Sequence, residues 1–124
     1  MNEIRARGLD EGPFKAAVLG VIAQIPAGKV ADQADIAESL GYPRDAVPLV
    51  GWVIAGTSDP SVPWHRVICE DGSLPELPGR AVAEQVQLLG SEGVELEDGP
   101  RVDIDTYRWK PEPRPFRGPI ASYR

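Results

Sequence analysis

Residues 62–73 read Val62-Pro63-Trp64-His65-Arg66-Val67-Ile68-Cys69-Glu70-Asp71-Gly72-Ser73, and the fold turns on this stretch. Its β-branched residues, bounded by turn formers, predict a strand from Pro63 to Cys69. Asp71-Gly72 is a hairpin turn signal. Upstream, Phe14, Ala17, Val18, Val21, Ile22 and Ile25 recur at spacings of three and four. That spacing predicts an amphipathic helix over 13–25, ended by Pro26, Ala27 and Gly28. Asp32 is placed to cap a second helix over 33–40, and Gly41 is its stop. A third helix is predicted over 44–55, with Val47, Val50, Val53 and Ile54 inward. Pro48 falls in its first turns, where a missing N–H costs little.

Two short helices joined by a tight glycine-containing turn are the helix-turn-helix pattern. Downstream, Val82, Val86, Leu88 and Leu89 predict a helix over 79–91. Val94-Glu95-Leu96 and Val102-Asp103-Ile104 alternate around Asp98-Gly99-Pro100, which predicts a second small hairpin. Residues 110–119 carry four prolines and are expected to be extended and mobile. The architecture expected is α+β, a small winged-helix-like domain over 12–110 with a Pro/Arg-rich tail over 111–124.

The chain has 124 residues, the length of one domain. Cys69 is its only cysteine, so no intrachain disulfide can form. No apolar run is long enough to span a membrane. The first residues, with Asn2, Glu3, Arg5 and Arg7, lack an apolar stretch, so no secretory leader is expected and the cytoplasm is the expected compartment. The formal charge is −6. Its distribution is uneven: residues 11–100 hold five basic residues against fourteen acidic ones, whereas 108–124 hold five basic residues against Glu112 alone. The body repels a polyanion on average and the tail attracts one.

Pro63-Trp64-His65-Arg66-Val67 resembles the active-site segment Pro-Cys-His-Arg-Val of the O⁶-alkylguanine-DNA alkyltransferases, with Trp64 at the position of the nucleophilic cysteine. Other pieces follow in order. Ile25-Pro26-Ala27-Gly28-Lys29-Val30 resembles the turn after that family's first helix, and Asp35-Ile36-Ala37 with Leu40-Gly41 its second helix. Leu49-Val50-Gly51 stands where its recognition helix lies. Leu88-Leu89 with Glu92-Gly93-Val94 resembles a later family segment. Val102 to Trp109 is similar to the alkyltransferase-like branch, whose members bind damaged guanine without repairing it.

The resemblance implies a non-enzymatic reader of alkylated guanine in double-stranded DNA. It would work by base flipping, as a monomer, with no cofactor and no metal, and would hand the lesion to an excision-repair protein. It implies a base pocket of Trp64, Val62, Pro63, Thr57 and Leu77, and DNA contacts by Gln33, Arg44, Pro48, Gly51 and Arg66. His65 and Glu92 match a histidine–glutamate relay that activates the cysteine in the enzymes. Without a thiol to serve, they are expected to be a structural pair. Three positions depart from the family pattern. Gln33 replaces a tyrosine that helps rotate the nucleotide. Pro48 replaces an arginine that fills the vacated stack. The loop Leu74-Pro75-Glu76-Leu77 lacks a positive charge found in some alkyltransferase-like proteins.

Each residue also has a plainer reading. Trp64 after Val62-Pro63 reads locally as core. Arg66 reads as an arginine satisfied by carbonyls or a carboxylate. Cys69, placed by period-2 counting on the face opposite Trp64, reads as a small buried residue. A transferase using Cys69 would need a lowered thiol pKa, and its neighbours Glu70 and Asp71 oppose that. The basic tail, with Arg114, Phe116, Arg117, Tyr123 and Arg124, reads as a solvated terminus or as a contact surface. The alternative to a lesion reader is a diverged member that has lost base flipping and serves as a protein-interaction module, motivated by Gln33, Pro48 and the acidic body.

Overall fold

The computed structural model describes residues 12–44, 47–57, 59–77 and 80–114. Helix α1 spans Gly12–Ala23. Phe14, Val18, Val21 and Ile22 point into the core from it, and Ile25 follows. Pro13 is tolerated in its first turn because that N–H has no intrahelical acceptor. Pro26 stops the chain. Gly28 then takes φ +83°, a left-handed conformation that a side chain would strain.

Strand β1, Ala31–Asp32, leads directly into helix α2, Gln33–Ser39. Asp32 caps that helix by accepting a 2.6 Å hydrogen bond from the Asp35 N–H. Gly41, at φ +89°, turns the chain away after Leu40. Helix α3 spans Val47–Gly56 and buries Leu49, Val50, Val53 and Ile54. Helices α1, α2 and α3 close on one apolar cluster, so the helix-turn-helix reading holds.

The segment after Pro63 departs from its sequence reading. Trp64–Arg66 is a turn of 3₁₀ helix, and only Val67–Ile68 is strand β2. Pro63 has no N–H to give a ladder, and the Arg66 N–H folds back onto the Pro63 carbonyl at 3.0 Å. Period-2 counting from Trp64 to Cys69 therefore does not apply, and Cys69 is half-buried. β2 pairs in parallel with β1, Ala31 opposite Val67 and Asp32 opposite Ile68. Asp71-Gly72 does turn the chain, with Cys69 N–H bonded to the Ser73 carbonyl at 2.9 Å. Ser73 then pairs with Arg101 instead of returning along β2.

Helix α4, Val82–Ser91, carries Gln85, a polar side chain that is 1% exposed. Its Nε2 donates to the carbonyls of His65 and Val67, at 3.0 and 2.9 Å. Those bonds fasten the 3₁₀ turn and β2 to α4. Strands β3, Leu96–Glu97, and β4, Arg101–Val102, form the expected antiparallel wing. The short helix α5, Ile104–Tyr107, follows. Val30 then receives the returning chain, with the Trp109 N–H bonded to its carbonyl at 2.7 Å. A second apolar cluster of Val30, Ile68, Leu89, Val94 and Val102 lies under the wing.

Residues 110–114 were expected to be mobile, but the Arg114 N–H bonds to the Ser39 carbonyl at the end of α2, at 2.6 Å. Arg117, Phe116, Tyr123 and Arg124 lie outside the described residues. No helix among the described residues is long and apolar enough to cross a membrane.

Replacing Gln85 by Leu would leave two buried carbonyls without donors. Urea denaturation should register a loss of about 1–3 kcal/mol. Gln87→Leu, on the exposed side of the same helix, should change stability by less than about 0.5 kcal/mol.

Candidate nucleic-acid interface

Val62, Trp64 and Leu77 join the main apolar cluster, and Pro63 and Thr57 are buried beside it in sequence. Trp64 is 8% exposed. The ring of His65 meets it edge to face, with centroids 6.2 Å apart. The guanidinium of Arg80 lies over the indole, 4.6 Å from its centroid. The same guanidinium donates through Nη2 to the carbonyls of Thr57 and Ile54 at the end of α3. Its buried Nε has no partner among the described residues. Trp64 is thus a buried member of the core, as its local sequence reads, and a planar cation lies over its ring.

His65 and Arg66 converge on Glu92, just past the end of α4. His65 Nε2 lies 2.9 Å from Glu92 Oε2, and Arg66 Nη2 donates to that oxygen at 2.5 Å. Arg66 Nε donates to Glu92 Oε1 at 3.0 Å, and Nη1 to the Ile25 carbonyl at 2.7 Å. The Gly28 N–H also points at Oε1, at 3.4 Å. Hydrogen bonds from Arg66, and after it from His65 and the Gly28 N–H, outweigh partial burial and push the Glu92 pKa down to about 2.

A second charge network surrounds the start of α2. Arg44 donates to Asp35 at 2.8 Å, to Glu38 at 3.3 Å and to Glu70 at 2.6 Å. Arg108 donates to the other oxygen of Asp35 at 2.7 Å and lies 3.5 Å from Asp32. Burial pushes the Asp35 carboxyl up, but the bonds from Arg44 and Arg108 together hold it below its ordinary value. Asp32 goes the other way, raised chiefly by burial. The charges of these carboxylates are answered inside the fold.

Five residues were expected on a DNA face. Pro48 is exposed on α3, and the space around Gly51 is open. Gln33 is 6% exposed, because α2 is buried on nearly every side. Arg66 is taken up by Glu92 and Ile25. Arg44 lies before α3, which begins at Val47 and not at the expected residue 44, and is held by carboxylates.

Two residues escaped the sequence reading. Arg80 places a positive charge over Trp64, where the loop Leu74 to Leu77 has none. It stands three positions beyond Leu77. Trp52 is 47% exposed. Its spacing of four from Pro48 would have placed it on the same helical face.

The profile of the 6-O-methylguanine DNA methyltransferase DNA binding domain matches residues 13–94. A DNA base-flipping protein of Vibrio parahaemolyticus is 36% identical over 99 residues, covering 79% of this chain and 97% of that one. A DNA base-flipping protein of Escherichia coli is 33% identical, covering 80% of this chain and 76% of that one. The crystal structure of S. pombe Atl1 in complex with damaged DNA containing O⁶-carboxymethylguanine superposes with a TM-score of 0.64 at 27% identity, over 90% of this chain and 98% of that chain.

Glu92 titrates lower in the folded protein than its ordinary 4.5, so its contribution is complete above that pH and fades as pH falls toward about 2. Glu92→Gln should cost about 3 kcal/mol at pH 7 by denaturant unfolding. The gap from the parent protein should close as pH falls through that window. In a Trp52→Phe, Trp109→Phe background, Arg80→Ala should make the remaining indole fluorescence more sensitive to acrylamide, because the guanidinium no longer covers Trp64.

Proposed function

The chain belongs to the 6-O-methylguanine DNA methyltransferase family, and we propose that it reads O⁶-alkylguanine in double-stranded DNA by base flipping without accepting the alkyl group. In this reading residues 12–110 form the reading domain and 111–124 an appended segment. The protein acts as a cytoplasmic monomer, marks the lesion and passes it to an excision-repair protein.

The observation that carries the reading is Trp64. It holds the place of the family's nucleophilic cysteine while the His65–Glu92 contact persists beside it. In the enzymes that relay serves to generate a thiolate. An indole has no comparable nucleophile, so the alkyl group stays on the base and the complex has no covalent end point. In this reading the flat apolar ring, together with Val62, Pro63, Thr57 and Leu77, forms a wall for a purine. The names of the base-flipping relatives support extrusion as the mode of access.

Arg80 covers that wall in the free protein. It is held by two carbonyls and a ring face, with one buried N–H unsatisfied. An entering base would exchange one π surface under the cation for another. Arg80 is therefore assigned to the base pocket with Trp64.

A second reading, a protein-interaction module without base flipping, is favoured by the neutralised arginines. Arg44, Arg66 and Arg108 all answer internal carboxylates. The two readings separate on salt. Extruding a base costs a few kcal/mol, and a duplex binder gains affinity from counterion release.

Binding of an O⁶-methylguanine duplex and its undamaged counterpart should be compared across salt concentrations. The lesion reader predicts tighter binding of the damaged duplex and a falling affinity with added salt. Equal, negligible binding of both at low salt would leave only the interaction module. Trp64→Ala should reduce discrimination between the two duplexes by about tenfold, the loss of one base–aromatic stack. Intact mass should be unchanged after incubation with the damaged duplex. A gain of one methyl group would overturn the non-enzymatic reading and bring Cys69 back into question.

A further inference from the structure

We propose that Trp52, with Pro48 one turn before it, is an apolar wedge that enters the base stack of duplex DNA beside the extruded nucleotide. The inference rests on the lesion-reading function above and assigns a role to a residue outside the Trp64 pocket.

Trp52 is the exposed large hydrophobic side chain among the described residues, at 47%. It stands on α3, the second helix of the helix-turn-helix, with Leu49, Val50, Val53 and Ile54 buried behind it. Pro48 is exposed four residues earlier, and the space beside the Gly51 Cα is open. The outer side of α3 is therefore a low apolar ridge with an indole standing on it. A large aromatic left in water on a rigid helix marks a contact surface more readily than a scattered small apolar residue does.

Charge on this helix does not oppose a duplex as the occupant. Val47–Gly56 contains no charged residue, in a chain whose formal net charge is −6. A duplex nearing this helix meets no carboxylate on it. No arginine on α3 can fill a vacated stack, and Arg44, just before the helix, already bonds Asp35, Glu38 and Glu70. Stacking requires no net charge, since every base presents a π face. Apolar side chains inserted at a base step unstack it and offset part of the cost of deforming the duplex. Proline alone is short and offers little stacking area. Proline and tryptophan one helical turn apart supply both a rigid edge and an aromatic plate.

The test is equilibrium binding of the full chain to an O⁶-methylguanine duplex and to the undamaged duplex, for the parent protein, Trp52→Ala and Trp52→Phe. Trp52→Ala should weaken binding to the damaged duplex by about tenfold. Trp52→Phe should recover most of that loss. The salt slope should be the same for all three proteins, because an uncharged side chain displaces no counterions. Thermal unfolding of each variant identifies any loss due to misfolding, in which case the Phe variant carries the comparison. Undiminished lesion binding by Trp52→Ala overturns the wedge and leaves the lesion reader standing. Failure of the parent protein to prefer the damaged duplex overturns the lesion reader and the wedge with it. A parent protein that elutes as a dimer, with Trp52→Ala as a monomer of unchanged DNA affinity, assigns the face to self-association and also overturns the wedge.

Discussion

The Glu92 carboxylate is the point on which the site is hung. It follows α4, yet it reaches the 3₁₀ turn through His65 and Arg66 and the turn after α1 through the Gly28 N–H. Arg66 extends the same clamp to the Ile25 carbonyl. Three segments distant in sequence are thereby held in one geometry around Trp64. Partly buried, charge-assisted bonds of this kind are stronger than neutral ones and leave a costly orphan when one partner is removed. That asymmetry gives the His65–Glu92 contact a structural value that needs no thiol beside it. Its loss would release the turn carrying Trp64, whatever chemistry that turn performs.

The second constraint is the location of positive charge. An acidic body would be expected to keep its few arginines for the outside if phosphate were the target. Instead Arg44 and Arg108 converge on Asp35 from two directions, and Arg66 is taken by Glu92. The Arg108–Asp35 pair ties the chain beyond the wing to the start of α2, next to the bridge between Val30 and Arg108. Stability and Coulomb attraction to DNA thus compete for the same side chains, and the fold resolves the competition in favour of stability. What remains on α3 is apolar. Affinity for a duplex would then lean on stacking and shape, with phosphate attraction left to cations away from these networks.

Local signals account for the parts that could be read in advance. The α1 spacing, the Asp32 cap, the Gly41 stop and the Asp98-Gly99-Pro100 turn are all set within a few residues, so periodicity and turn chemistry reveal them. The parallel β1–β2 pair was not legible, because two strands of two residues carry no period of their own. The 3₁₀ turn was hidden by its composition. Val67 and Ile68 look like a strand, and nothing nearby announces that Gln85 will capture the carbonyls of His65 and Val67. The site divides in the same way. The pairing of His65 with Glu92 came from resemblance and is present in the structure. Arg80 over Trp64 depends on where a loop returns in space. The inward turn of Arg44 depends on carboxylates at positions 35, 38 and 70, which no single window contains.

Replacing a reactive sulfur with an indole changes what a flipped base can gain from the site. A thiolate acts once and irreversibly, so even a brief visit by the base is sufficient. A ring acts only by occupancy, and its effect scales with how long the base stays. Occupancy demands contact area and exclusion of water, both of which an indole supplies better than a thiol. It also demands that the empty seat not be left as exposed apolar surface. Arg80 lies over the indole in the free protein, and two backbone carbonyls hold it there. Its guanidinium thereby covers the indole face, and its Nε is left without a partner among the described residues.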